Sequence, residues 1–381
     1  MKGVNAMHTD NLNEFIASKE IPSSDVIIMK DHKILHRFFC GHRDEEKTKE
    51  INGNELYWLY STSKVITCTA AMRLVERGAI SIDDPVSKYI PEYAEMKYID
   101  SDKNIRHCEK TMLVRDLFAM RGGLTYNLDS PSIKEALSNL EGDADTLTII
   151  RAIAKEPLLF EPGTDFNYSL CHDVLGAVIE VASGMKFSEF LKKEIFEPLG
   201  MKDTGFYPNE EQKKRFTDQY RWENNSYVKV PATCAYSIRY AYESGGAGLF
   251  SSVNDYILFA DALACHGTAY NGYQLLKPET IELMRSNQND YATIQAKTTS
   301  SKGYSYAFGV RTLISKTDAR TDAPIEWEFG WDGAAGAYVS IDPKYHVSAF
   351  YAQQVLGHTW VYQEVHPVIR DTKYYIAKIC K

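Results

Sequence analysis

Nowhere in this chain do about eighteen apolar residues run together, so the sequence offers no membrane-spanning helix. Its N-terminus also lacks the uninterrupted apolar stretch of a secretory signal. A cytoplasmic location is therefore the default expectation, although a chain trimmed of its leader would read the same way. Cysteine is scarce and unpatterned: seven residues, an odd number without close pairs, read as reduced thiols rather than a disulfide framework. A net charge of −8 argues against nucleic acid as a partner and against a polybasic contact with a membrane. There is no internal repeat, no low-complexity tract and no Pro/Gly linker between independent domains; the most linker-like piece, Thr298 to Lys302, is short. No Gly-x-Ser-x-Gly occurs, which counts against an α/β-hydrolase. Gly303-Tyr304-Ser305-Tyr306-Ala307 comes near it but ends in alanine and reads as a strand start. His107-Cys108, Cys171-His172 and Cys265-His266 lack the paired spacing of a structural zinc site, so no metal is expected.

What is present is a chain of 381 residues with 44% hydrophobic content, enough to bury one large core or two smaller ones. Residues from about Asn11 to Ser18 have a short helical pattern. Asp25 to Lys30 and Lys33 to Cys40 read as two strands around an Asp31-His32 turn. Val65, Cys68, Met72 and Val75 recur at helical spacing, which predicts a helix from Ser61 through Arg77 with Gly78 as a left-handed stop. Ser169 to Ser183 and Phe187 to Phe196 are later helices, the second stopping at Pro198. Strands return after Tyr304, with Trp327 to Gly330, Ala337 to Ile341 and His346 to Gln353 as candidates and Asp342-Pro343-Lys344 as the last connection. A terminal helix follows from about Pro367 to Ile379. The expected fold is α+β, a single unit over 1–381. Residues 1–80 and 300–381 build an antiparallel sheet with flanking helices, 81–299 form a mainly helical insertion, and the cleft lies at their junction.

Ser61-Thr62-Ser63-Lys64 carries the chemistry. Positions i and i+3 share a helix face, which brings the Ser61 hydroxyl within reach of the Lys64 amine. A serine hydroxyl is a weak nucleophile until a base takes its proton, and a desolvated neutral lysine is such a base. Backbone N–H groups at the helix start can hold a developing oxyanion. Taken alone, the four residues fit equally a helix N-cap followed by a solvated lysine.

Context separates the two readings. Phe166-Asn167-Tyr168-Ser169 places a tyrosine just before a helix, and Gly330-Trp331-Asp332-Gly333-Ala334 lies among the C-terminal strands. With these three elements in this order, the chain resembles the serine β-lactamase and penicillin-binding protein superfamily. It is most similar to the class C-like branch that includes esterases and D-amino-acid peptidases. Leu74 to Gly78, Ile82-Asp83-Asp84-Pro85-Val86, Val114-Arg115-Asp116-Leu117 and Gly122-Gly123-Leu124 extend the likeness. So do Pro198 to Met201, Thr204-Gly205-Phe206 and Gly245 to Leu249, over nearly the whole chain. The resemblance implies the β-lactamase/transpeptidase-like fold, an acyl-enzyme on Ser61 and assistance from Lys64. It further implies proton exchange through Tyr168 and an oxyanion hole from the backbone N–H groups of Ser61 and Ala334. It calls for no cofactor.

Two departures bear on the substrate. The position often held by asparagine two residues after the tyrosine is Leu170, so a substrate amide loses a partner unless Asn167 replaces it. The third motif, commonly Lys-Thr-Gly in β-lactam-directed branches, is Trp331-Asp332-Gly333. A charge-assisted hydrogen bond to a substrate carboxylate is worth about 1.5–3 kcal/mol, and Asp332 would oppose such a group further if it faced the cleft. Both departures favour a small uncharged ester or amide, with Trp331 lining the pocket. Most other aromatics near the motifs (Tyr57, Trp58, Tyr60, Phe166, Trp327, Phe329) read as core. A β-lactamase or D-amino-acid peptidase is the second expectation, and a catalytically silent binding or sensor protein the third.

Overall fold

The computed structural model describes residues 11–138, 143–234, 236, 241–298 and 302–379. Fourteen strands are labelled in chain order: β1 Ser23–Lys30, β2 Lys33–Gly41, β3 Leu56–Trp58, β4 Lys97–Ile99, β5 Ile105–His107, β6 Gln219–Glu223, β7 Ser226–Val230, β8 Phe250–Ser252, β9 Tyr304–Tyr306, β10 Arg311–Leu313, β11 Phe329–Asp332, β12 Tyr338–Asp342, β13 Val347–Ala352 and β14 Val355–Leu356. The main sheet runs β2-β1-β13-β12-β11-β10-β9, with every neighbouring pair antiparallel. The N-terminal hairpin thus lies beside the last long strand and closes a sheet made by both ends of the chain. Five helices matter below: α1 at residues 11–18, α2 Ser63–Glu76, α3 Cys171–Ser183, α4 Val253–Ala264 and α5 His366–Ile379.

Strand β1 is apolar on both faces because both are covered. Val26 and Ile28 join Leu12 and Ile16 of α1 and Ile369, Tyr374 and Ile376 of α5 in one cluster. Ile27 and Met29, one residue out of phase, join the large cluster around α2, α3 and α4. Side chains alternate along a strand, so the sheet separates two cores, each buried Ile or Leu contributing about 1.5–3 kcal/mol. The same parity puts Phe329 and Trp331 on the α2 side of β11.

The β1–β2 hairpin turns at Asp31-His32, as the sequence predicts, both residues having left-handed φ of 47° and 63°. Helix α2 ends where expected, with Gly78 at φ +69°. Its start differs: Ser61 sits in a 3-10 turn, Tyr60–Thr62, and the α-helix begins at Ser63. The helix from Phe187 does not stop at Pro198. Its ladder widens into a π turn at Lys192–Phe196 and continues as Glu197–Leu199, ending at Gly200 with φ 76°. Proline removes one ladder donor, and the wider turn accommodates that loss before the glycine closes the helix. The stretch expected to be mainly helical also holds five strands, β4 to β8: β4 pairs with β5, β8 with β3 of the N-terminal part, and β6-β7 with β14 of the C-terminal part. Most of Thr298 to Lys302 lies outside the described residues. Among the described residues, no helix is long and apolar enough to cross a membrane.

Candidate active site

Strand β3, paired with β8, delivers the chain to Ser61. Tyr60, just before it, has φ 48°, a conformation that costs a bulky residue about 1–3 kcal/mol. The surroundings hold it there. The Tyr60 ring is fully buried and its hydroxyl donates to Gln219 Oε1 at 2.7 Å. On either side, Leu59 N–H donates to the Leu249 carbonyl at 2.9 Å, and the Tyr256 hydroxyl donates to the Thr62 carbonyl at 2.8 Å. Ser61 is therefore a half-buried hydroxyl on a fixed, strained turn at the head of α2.

Lys64 is fully buried. Its Nζ donates to the Gly246 carbonyl at 2.6 Å and lies 3.1 Å from Ser61 Oγ and 3.2 Å from Tyr126 Oη. The carbonyl can only accept, whereas both hydroxyls can donate or accept. The pocket therefore satisfies an ammonium with three donors and equally an amine whose lone pair faces a hydroxyl proton. That is the requirement for a group that takes and returns a proton. A Cβ on Gly246 would fall 2.5 Å from Asp173 Oδ2 and 3.4 Å from Lys64 Nζ, so only glycine lets this backbone close on the lysine. Asp173 is fully buried on α3 and accepts from Tyr242 and Ser244 hydroxyls at 2.8 and 2.5 Å. Burial pushes its carboxyl up, partly offset by the Ser244 bond and the Lys64 charge.

Tyr168 meets Lys64 through its ring, with Nζ 4.7 Å from the centroid. Its hydroxyl accepts from Trp331 Nε1 at 3.0 Å, and the two rings stack at 5.6 Å. Tyr126 stacks on the other side of Tyr168 at 5.9 Å, and Tyr306 meets Trp331 edge-on at 4.9 Å. Ser61, Lys64, Tyr168 and Trp331 thus converge in one aromatic-walled cluster. Gly333 and Ala334 join it from β11: a Cβ on Gly333 would sit 2.4 Å from the Leu59 carbonyl, so the turn carrying the Ala334 N–H lies against the turn carrying Ser61. Ala334 packs in the same small cluster as Tyr60 and Tyr236. The turn is fixed by Gly333 N–H to Ala337 O at 2.7 Å, Tyr362 Oη to Gly333 O at 3.0 Å and His366 Nε2 to Gly336 O at 3.1 Å.

Three candidates stand elsewhere. Asp332 does not oppose a substrate carboxylate in the cleft. Its neighbour Trp331 takes that face, so Asp332 points toward α5, paired with Arg311 at 3.0 Å and His366 at 3.4 Å. Burial disfavours its charge, yet Arg311 and then His366 hold the carboxyl below its usual range. Leu170 is 2% exposed and belongs to the core, not to a substrate surface. Asn167 is half-buried and tied to the neighbouring loop, its Nδ2 donating to the Leu124 carbonyl at 2.8 Å and its backbone N–H to Met120 O at 2.9 Å. Of the flanking aromatics, Tyr57, Tyr60, Phe166 and Phe329 are core, whereas Trp327 is on the surface under the Arg285 guanidinium.

The sequence reading gave no role to Tyr126, two residues past Gly122-Gly123-Leu124, or to the Gly246 carbonyl, which lies within the Gly245 to Leu249 landmark. His172 is buried beneath Lys64, pushed down to about 3 by burial and then by the lysine charge, and donates to the Phe118 carbonyl at 3.2 Å.

The Beta-lactamase family model matches residues 9–372. The chain belongs to the Beta-lactamase family. Within it, Esterase EstB of Burkholderia gladioli is 28% identical over 335 residues, spanning 82% of this chain and 80% of the esterase. Among solved structures, EstCE1, a hydrolase with promiscuous acyltransferase activity, superposes with a TM-score of 0.79 at 23% identity over 97% of this chain and 98% of its own. Simvastatin synthase (LovD) from Aspergillus terreus follows at 0.76 and 18% identity, over 99% of each chain. These two likenesses show the fold. Family membership makes the chain a β-lactamase-fold serine hydrolase.

Proposed function

We propose that this protein is a carboxylesterase for small uncharged esters, acting through an acyl-enzyme on Ser61. The observation that carries the substrate class is the Trp331–Tyr168 contact. At the motif position where β-lactam-directed branches carry a cation for the substrate carboxylate, an indole stacks on the tyrosine, and the acid beside it faces Arg311 and His366. An aromatic wall favours an apolar acyl or aryl group and supplies no charge to a carboxylate. The 28% identity to an esterase over most of both chains supports the same reading.

In the proposed reaction Ser61 Oγ attacks the ester carbonyl carbon and its proton passes to the Lys64 amine. The Ser61 and Ala334 N–H groups receive the oxyanion. As the tetrahedral intermediate collapses, the C–O bond to the alcohol breaks and the departing oxygen takes a proton from the Tyr168 hydroxyl. Lys64 returns the proton to Tyr168. Water then attacks the acyl group, giving its proton back through the same pair and freeing Ser61 and the acid.

The test is hydrolysis of p-nitrophenyl butyrate beside nitrocefin, with wild type and Ser61→Ala under identical conditions. Ser61-dependent ester turnover with little nitrocefin cleavage is expected. Efficient nitrocefin turnover would overturn the ester assignment in favour of a β-lactamase.

A further inference from the structure

On the α4 side of the β1–β2 hairpin, away from Ser61, side chains from two distant segments meet. His32, at the hairpin tip, places Nδ1 2.6 Å from Asp261 Oδ2 and its backbone N–H 3.3 Å from Oδ1. Asp261 lies in the last turn of α4 and is 1% exposed. Cys265, one turn further on the same face, directs Sγ at Asp261 Oδ1 at 4.0 Å. One imidazole nitrogen, one carboxylate oxygen and one sulfur all lie within 4.8 Å of one another.

We propose that His32, Asp261 and Cys265 form a divalent transition-metal site of the zinc class.

The donor set selects the metal: a thiolate with an imidazole suits zinc or cobalt, and a hard carboxylate completes three ligands and leaves one position for water. Metal–ligand bonds of about 2.0–2.3 Å place tetrahedral donors roughly 3.3–3.7 Å apart. The present spacings, 2.6 Å between His32 Nδ1 and Asp261 Oδ2 and no more than 4.8 Å between any two donors, lie on either side of that range, so binding needs shifts of about 1 Å. The backbone supports the arrangement from both sides. Asp31 and His32 have successive left-handed φ of 47° and 63°, which aim the ring inward, and α4 unwinds right after Cys265, with His266 at φ 54°. The residues next to His32 and Cys265 in sequence are tied together by a third histidine. His346, at the β12–β13 turn, bonds Asp31 Oδ1 through Nδ1 at 2.8 Å and meets the His266 ring at 5.0 Å. The His32 side chain is about one-third exposed, which gives an ion a way in. Cys265 and His266, adjacent in sequence, do not act as a pair here; the cysteine finds its partners through the fold.

The test is spectroscopic titration of the full chain, stripped with chelator, with Co2+ and then competition by Zn2+. One equivalent of Co2+ should bind with a thiolate-to-cobalt charge-transfer band that Zn2+ removes. Cys265→Ser, a near-isosteric change that should leave the thermal melt unchanged, should abolish the band and weaken binding at least tenfold. Cys108→Ser, at a half-buried thiol elsewhere, should leave both unchanged. Absence of the band in wild type, or its survival in Cys265→Ser, would overturn the site and leave His32–Asp261 as a structural clasp.

Discussion

Trp331→Phe asks what the indole nitrogen does, because phenylalanine keeps an aromatic ring against Tyr168 and Tyr306 and removes one N–H. In the resting site that N–H donates to the Tyr168 hydroxyl at 3.0 Å. The hydroxyl oxygen accepts this bond and keeps its own proton for the departing alcohol. Once the proton leaves, the oxygen carries negative charge and the same bond strengthens. A hydrogen bond between neutral groups contributes about 0.5–1.5 kcal/mol, and one to a charged group about 1.5–3 kcal/mol. If the Tyr168 oxygen gains charge in the rate-limiting step, the barrier loses only the difference between the charged and the neutral bond, about 1–1.5 kcal/mol, and Trp331→Phe should lower kcat about 5- to 13-fold. If it stays neutral throughout, the bond is lost equally from ground and transition states and kcat stays nearly unchanged. The assay is steady-state hydrolysis of p-nitrophenyl butyrate, with thermal melts to separate folding from catalysis. The larger loss in kcat with little change in KM is expected. A kcat within twofold of wild type, in a folded variant, would refute proton donation by Tyr168.

Four further outcomes follow from the same structure. Tyr126→Phe removes one hydroxyl partner from Lys64 Nζ and should lower kcat about 2- to 13-fold with KM nearly unchanged; unaltered kinetics would remove Tyr126 from the site. Glu194, on the π turn, is clasped by Arg73 and Arg77 of the α2 segment, and the Arg77 bond leads in holding its carboxyl down to about 2. Glu194→Gln leaves Arg73 short of a counter-charge and should cost about 2 kcal/mol after allowance for the exposed Arg77, read in a chain of this length as a drop of roughly 2–4 °C in Tm. The folded carboxyl titrates below its unfolded value, so this stabilisation is present above about pH 4.5 and fades toward pH 2. Melts at pH 7 and pH 3 should show the difference between wild type and variant shrinking. His358 sits among Trp222, Tyr227 and Trp360 with neither ring nitrogen hydrogen-bonded, and burial pushes it down to about 4. Because its folded pKa is depressed, its contribution is present above about pH 6.5 and lost as pH falls toward 4; His358→Phe should flatten that part of the stability profile by up to about 2 kcal/mol.

The order of motifs was legible because each sits on a locally encoded element. Asp31-His32 is a two-residue turn between alternating strands, and the α2 period survives although that helix is buried almost all round. Asp332 was legible in principle: adjacent strand residues face opposite ways, so placing Trp331 at the cleft already sends Asp332 to the α5 side. What the local pattern does not encode is pairing at a distance. Strand β14 joins β6 in parallel more than a hundred residues away, and Tyr126 reaches Lys64 from a loop 62 positions along the chain. Nor does a sequence show that the amide of Asn167 is already committed to the Leu124 carbonyl.

The central claim is that Ser61 becomes acylated. Mass spectrometry of protein quenched during turnover of p-nitrophenyl butyrate, followed by peptide mapping, addresses it directly. The account predicts one butyryl group on the peptide carrying Ser61, absent from Ser61→Ala, which should also lose ester turnover. A butyryl group on another residue, or full turnover by Ser61→Ala, would contradict it.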